Sequence, residues 1–213
     1  KINPSVSEEV REQAIKQILR SESQKLIADN ESFHKLLVDG VSIPVSKGGE
    51  ERHIPVNLLD YNNLENNDFC AVNQFTVIEN NIERRMDIIL FINGLPLVVF
   101  ELKNLADEKA DIWTAYDQFQ TYKDQLPSLF RCNEILIISD GIEARAGTIT
   151  TEKERFMQWK TVNGEKQERS LTEIEVLVRG MCEKKRILDL IKNFIVFQKE
   201  RDGVKKKLAA YHQ

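Results

Sequence analysis

Between Arg84 and Asn104 the chain reads RRMDIILFINGLPLVVFELKN, with Asp87 at one end of an apolar run and Glu101 and Lys103 at the other. Two carboxylates a few ångströms apart repel, and each raises the pKa of the other. At the mouth of an apolar core such a pair is costly unless a cation neutralises it. A hard, oxygen-preferring divalent ion such as Mg²⁺ (or Mn²⁺) suits the pair and keeps several of its waters. That ion can acidify a water and stabilise charge on a phosphate. A neighbouring lysine can orient or deprotonate the water, or stabilise the charge that develops on phosphorus. Asp followed by Glu-x-Lys on an adjacent strand is therefore a compact kit for cutting a phosphodiester. The competing reading of Glu-x-Lys is an edge-strand salt bridge. Gln118 and Tyr122 stand at i,i+4 on the next predicted helix and so share one face; the plain reading of that pair is a surface glutamine and a half-buried tyrosine.

The carboxylates can cooperate only if the hairpin joining them has the right parity. With a plain two-residue Asn93-Gly94 loop, Asp87 faces Phe100 and Glu101 projects to the opposite side. Shifting the register by one brings them to the same face. A three-residue loop, Ile92-Asn93-Gly94, with Gly94 left-handed, does this. It pairs Phe91 with Leu95 and Asp87 with Val99, placing Glu101 diagonally across from Asp87. Lys103, two residues on, points the same way.

The elements that must hold this site are legible from periodicity. Residues 7–20 carry Val10, Ala14, Ile15, Ile18 and Leu19 at helical spacing, with Ser7 as N-cap. Residues 31–40 read as a short helix closed by Gly40. Strands are expected at 41–46, 53–61 and 69–79, then the hairpin, then a helix over 111–126. EILIISD (134–140) is a continuous apolar run, the pattern of a strand buried on both faces. ARAGTITT and RFMQWKTV suggest peripheral strands. Residues 172–200 read as mostly helical with a break at Gly180, and ERDGVKKKLAAYHQ as a linker. The order predicts an α/β (α+β) domain around a mixed central β-sheet flanked by helices, with a helical C-terminal extension. The expected division is a main domain carrying the acid pair and lysine over 1–170 and an extension with linker over 171–213.

With 213 residues and 41% hydrophobic content, the chain is long enough for one large domain with an appendage. A net charge of −4 excludes a grossly basic nucleic-acid binder but leaves local basic clusters open. Cys70, Cys132 and Cys182 are scattered, without a CxxC, and read as free thiols in a reducing compartment. No run approaches the ~18 apolar residues of a membrane span, so no membrane partner is expected. The chain opens on Lys1 rather than Met and ends at AAYHQ, which reads as a piece of something longer. Trp113 and Trp159 read as packing residues, Asp140 as a turn residue, and EKKR (183–186) and KKK (205–207) as solvated faces. Lys123 is a candidate for a phosphate contact.

Six ordered blocks carry a family resemblance: NNDFCAVNQFTV (66–77), RRMDIILFINGLPLVVFELKN (84–104), AYDQFQTYKDQLPSLF (115–130), ISDGIEARAGTIT (138–150), ERFMQW (154–159) and KKKLAAYHQ (205–213). The chain resembles the N-terminal part of the R (restriction and motor) subunit of type I restriction-modification enzymes. The resemblance implies a PD-(D/E)xK nuclease core in which Asp87, Glu101 and Lys103 are the signature residues. It further implies that the Leu102 carbonyl joins Asp87 and Glu101 around the metal. Gln118 and Tyr122 match a QxxxY motif that steadies the lysine and touches DNA. It implies double-stranded DNA as substrate, methyltransferase (M) and specificity (S) subunits as partners, and a cytoplasmic bacterial or archaeal setting. ATP would be used only by the full-length subunit, because this chain has no GxxxxGK[ST] loop. One departure stands out: Met86 replaces the usual proline before Asp87. A supporting acid from an early helix, common in this superfamily, is unassigned, with Glu8, Glu9 and Glu12 as candidates. The expected activity is Mg²⁺-dependent cleavage of DNA after ATP-driven translocation. The alternative is an inert docking module that packs against the motor and methyltransferase, and a third possibility is an unrelated α+β binding domain.

Overall fold

The computed structural model describes residues 1–47, 50–104, 111–164 and 170–209. Helices α1 (Glu8–Leu19) and α2 (Leu26–Asp39) precede a hairpin of β1 (Val41–Lys47) and β2 (Glu50–Val56). The central sheet then runs through β3 (Phe69–Glu79), β4 (Ile82–Ile92) and β5 (Leu95–Leu102). Helices α3 (Ile112–Gln125) and α4 (Pro127–Arg131) cross to β6 (Ile135–Ser139), followed by β7 (Ala144–Gly147). Helices α5 (Glu173–Gly180) and α6 (Lys184–Asn193) lead to a last hairpin, β8 (Ile195–Glu200) and β9 (Gly203–Leu208). The five-stranded sheet has the order β3-β4-β5-β6-β7; β5 and β6 are parallel and the other pairs antiparallel. It is the mixed sheet that the sequence predicts.

Local chemistry explains the elements that frame the site. Ser7 caps α1 by accepting from the Val10 N–H, and Gly40 closes α2 at φ 81°, a left-handed value that favours glycine. Asp111 caps α3, its carboxylate accepting from the N–H groups of Trp113 and Thr114. The apolar stripe Ile112, Ala115, Phe119 and Tyr122 then packs α3 on one face of the sheet with Met86, Ile89, Val99, Leu136 and Ile138. Phe119 is wholly buried there, a contribution on the order of 2–3 kcal/mol. The other face carries Ile92, Leu97, Val98, Phe100, Ile135 and Ile137 against α1, α2, α5 and α6. β6 is buried along its whole length, as its unbroken apolar run requires.

The hairpin achieves the expected parity by another route. Asn93 and Gly94 form a two-residue loop, both left-handed (φ 53° and 79°), so Ile92 pairs with Leu95 and Phe91 with Pro96. The register then shifts, and Leu90 pairs with Val98, Ile89 with Val99 and Ile88 with Phe100. Leu97 is the extra residue. It shares a core face with Val98, so the bulge does the work assigned to a longer loop. One step further, the same register sets Asp87 directly opposite Glu101, not opposite Val99.

The C-terminal part departs further from the sequence reading. The helix breaks at Gly180 as expected, but beyond Phe194 the chain turns to strand instead of continuing as helix. Residues 203–208, read as linker, form β9. Lys206, read as part of a solvated basic run, is fully buried. Its ammonium reaches Glu134 Oε2 at 2.7 Å, Asn30 Oδ1 at 3.0 Å and the Asn133 carbonyl at 2.8 Å. His34 Nδ1 meets the same Glu134 oxygen at 2.9 Å. Alternation explains the reversal: Lys205 and Lys207 point outward and the middle lysine inward. RFMQWKTV forms no strand, only a bridge between Met157 and Ala146. Residues 210–213, the end of the expected linker, lie outside the described residues.

Candidate active site

The sheet gathers all five predicted side chains on the face that α3 covers. Asp87 sits where both neighbouring ladders are interrupted. On the β5 side pairing ends at Ile88–Phe100, and the Leu102 N–H instead donates to Asp87 Oδ2 at 2.8 Å. On the β3 side, Asn73 pairs with Ile88 and Phe75 with Met86, but the intervening Gln74 makes no pair. Gln74 is left-handed at φ 52°, and its Nε2 donates to Asp87 Oδ1 at 3.1 Å.

Both strands change phase at this point. Ile89 and Met86 lie three apart, yet both pack towards α3, while Ile88 and Leu90 pack on the opposite face. An uninterrupted strand would put Met86 with Ile88. Gln74 and Asp87 are the pivot, and the β3–β4 hairpin beyond them turns its other side to the helices. There Arg84 Nε donates to Gln125 at the end of α3, and Ser128 of α4 donates through N and Oγ to Glu79. Met86, standing where the resemblance expects proline, is a wholly buried part of this packing.

Glu101 is 2% exposed. Burial pushes its carboxyl up to about 7; the hydrogen bond from Lys103 opposes this, and the Asp87 charge adds to the rise. Lys103 Nζ donates to Glu101 Oε1 at 2.9 Å and to Gln118 Oε1. Gln118 Nε2 donates in turn to the Tyr122 hydroxyl. Burial likewise raises the Tyr122 phenol above its usual value. One chain of contacts thus runs Tyr122, Gln118, Lys103, Glu101, and the glutamine amide is fixed at both ends. The Lys103 backbone is held as well, its N–H donating to the Ser139 carbonyl at 2.8 Å on parallel strand β6.

A divalent cation fits this donor set on one observation in particular. Glu101 Oε2 is buried without a hydrogen-bond partner, a situation that costs about 1–3 kcal/mol, more for a charged group. A carboxylate oxygen with no hydrogen-bond partner, on a residue whose neighbouring charge includes Asp87, would be completed by a cation. Among the described residues no three His, Cys, Asp or Glu side chains come together, so within them the pair has no third carboxylate.

Other candidates fall outside the site. Glu8, Glu9 and Glu12 are exposed on α1, which packs against β1 and β2. Lys123 turns inward, donating to the Ile149 carbonyl at 2.7 Å, and burial lowers its amine to about 8. Asp140 caps its own turn by accepting from the Ile142 and Glu143 N–H groups. Trp159 is buried, with Nε1 donating to the Thr161 carbonyl, and Lys153 lies 5.2 Å over the Trp113 ring. Gln74 went unnoticed in the sequence reading, although a signal exists. Val72 and Phe75, like Ile89 and Met86, are apolar at a spacing of three, which breaks the period of two.

The fold is thus α+β with a mixed five-stranded sheet, and it bears an acid pair and a lysine at adjoining strand ends. Comparison with known proteins narrows this. The family model for the type I restriction enzyme R protein N terminus matches residues 1–155. The type I restriction enzyme HindI endonuclease subunit of Haemophilus influenzae is 41% identical over all of this chain, and the chain spans 21% of that protein. The type I restriction enzyme SauCOLORF180P endonuclease subunit of Staphylococcus aureus (strain COL) is 35% identical over 54% of this chain and 14% of its own length. The chain belongs to the family of type I restriction enzyme R protein N-terminal regions. It spans about a fifth of the length of the HindI subunit. No helix among the described residues is long and apolar enough to cross a membrane.

Proposed function

We propose that this chain is the DNA-cleaving part of a type I restriction enzyme and hydrolyses phosphodiesters of double-stranded DNA with Mg²⁺. The observation that carries the reading is the buried, partnerless Glu101 Oε2 beside Asp87, with Lys103 braced against the other Glu101 oxygen. Asp87, Glu101 and the Leu102 carbonyl would hold the metal, which when bound supplies positive charge at the phosphate and acidifies water. Lys103 has three donors, of which Glu101 and Gln118 engage two. The third is available to an attacking water or to charge developing on phosphorus. Gln118 and Tyr122 fix where that ammonium sits, which matters because an ångström of misplacement costs about a hundred-fold in rate.

The named relatives are restriction endonuclease subunits, which supports double-stranded DNA as substrate and an assembly with M and S subunits. An inert docking module would gain nothing from a partnerless buried carboxylate. The test is plasmid cleavage by the assembled enzyme carrying Asp87→Ala, Glu101→Ala or Lys103→Ala. Each variant is expected to lose cleavage while ATP turnover continues. Cleavage at the wild-type rate by any of the three overturns the assignment.

A further inference from the structure

We infer that Gln74 is a positioning residue for Asp87, fixing the rotation of its carboxylate for the cation; the inference rests on the metal reading above.

Three observations converge on this residue. Gln74 lies within β3, where a period-two strand requires no turn, yet its backbone is left-handed at φ 52°. A side chain at such a φ is unfavourable relative to glycine, so something must offset holding a glutamine there. Its strand partner by register is Asp87, and this is the one position between Asn73–Ile88 and Phe75–Met86 where the ladder is not made. In place of the ladder, the side-chain amide donates to Asp87 Oδ1 at 3.1 Å. The opposite oxygen, Oδ2, accepts from the Leu102 N–H at 2.8 Å.

Asp87 is therefore held from both sides by groups its own strand would ordinarily pair with through the backbone. One donor leaves a carboxylate free to swing about its last torsion. Two donors on different oxygens fix the plane, and each oxygen retains a second lone pair for a cation. The donor type also fits: an amide supplies an N–H without a charge of its own, so it adds no positive charge that would repel a cation. Gln74 thus does for Asp87 what Gln118 does for Lys103. One glutamine braces the metal-binding side and the other the water-handling side. Gln74 is exposed, so its removal leaves no void in the core.

The test is Mn²⁺ binding by titration calorimetry, beside metal-free thermal melts, for the protein and for Gln74→Gly, Gln74→Met and Asp87→Ala. Gln74→Gly removes the donor and relieves the backbone. Gln74→Met removes the donor and keeps the backbone burden. Both are expected to weaken Mn²⁺ about ten-fold, the lower end for loss of a group that orients a metal ligand. The Gln74→Gly melting temperature is expected to hold or rise. A merely structural role would move the melts and leave the affinity alone. If Asp87→Ala abolishes binding while either Gln74 variant binds as tightly as the wild type, the inference fails and the metal reading stands. If Asp87→Ala binds like the wild type, the metal reading fails and takes the inference with it.

Discussion

Replacing Glu101 with glutamine should remove a specific pH dependence from the stability of the metal-free protein. The buried carboxyl titrates near 7 in the fold, against 4.5 for an ordinary glutamate. Between those values the native state holds a proton that the unfolded chain has released, so stability falls as pH rises through the window. The contribution is fully present below about pH 4.5 and lost above about pH 7. A shift of that size corresponds to about 3 kcal/mol at 1.36 kcal/mol per pH unit. Glu101→Gln carries no such titration. Urea unfolding of both proteins in metal-free buffer at pH 4.5 and pH 8 isolates the effect, because titrating groups that do not interact with Glu101 cancel in the difference. The wild type should lose about 3 kcal/mol relative to the variant between the two pH values. Saturating Mg²⁺ at pH 8 should return much of it to the wild type alone, about 2.7 kcal/mol at a hundred times the dissociation constant. Parallel pH profiles for the two proteins would refute the buried, partnerless carboxyl.

Lys206→Met should cost about 3–5 kcal/mol in urea unfolding, because it strands Glu134 in the core. The double variant with Glu134→Leu should recover most of that loss, and a single-variant cost below about 1 kcal/mol would rule the buried pair out. Gly180→Ala ordinarily favours a helix by about 1 kcal/mol. Here the added carbon would sit 2.3 Å from Trp159 Nε1 and 2.5 Å from the Thr161 carbonyl. The melting temperature should therefore fall, by the equivalent of about 1–3 kcal/mol of overpacking. Tyr122→Phe removes the oxygen that Gln118 donates to. Plasmid cleavage by the assembled enzyme should drop by roughly ten- to a hundred-fold, with Mn²⁺ affinity unchanged in calorimetry because Tyr122 touches neither carboxylate.

What could be read before the fold was known follows from the range of the interactions involved. The cap at Ser7, the stripe on α3, the β6 run and the turn at Asn93-Gly94 are set by residues close in sequence, and all were legible. The need for Asp87 and Glu101 to share a face was legible too, as a parity argument; the device that satisfies it was not, since a bulge at Leu97 and a longer loop have the same parity. Lys206 was misread because its partners Glu134 and Asn30 are remote in the chain, and a run of three lysines looks solvated until strand alternation is imposed on it. β8 was misread because Ile191, Phe194 and Ile195 continue a helical spacing, and only packing against β9 decides otherwise. Short α4 escaped notice because five residues show no period.

The bulge at Leu97 also sets which genetic changes this site can absorb. A point substitution along β4 or β5 alters one contact, but loss or gain of a single residue anywhere between Asp87 and Glu101 inverts the facing of everything beyond it. Deleting Leu97 would leave both acids, the lysine and the turn in the gene, yet turn the carboxylates to opposite sides of the sheet. The thirteen residues separating Asp87 from Glu101 are thus a length constraint as strict as the identity of the acids. Descendants can exchange the apolar side chains between them, but they can change the spacing only in steps that preserve its parity.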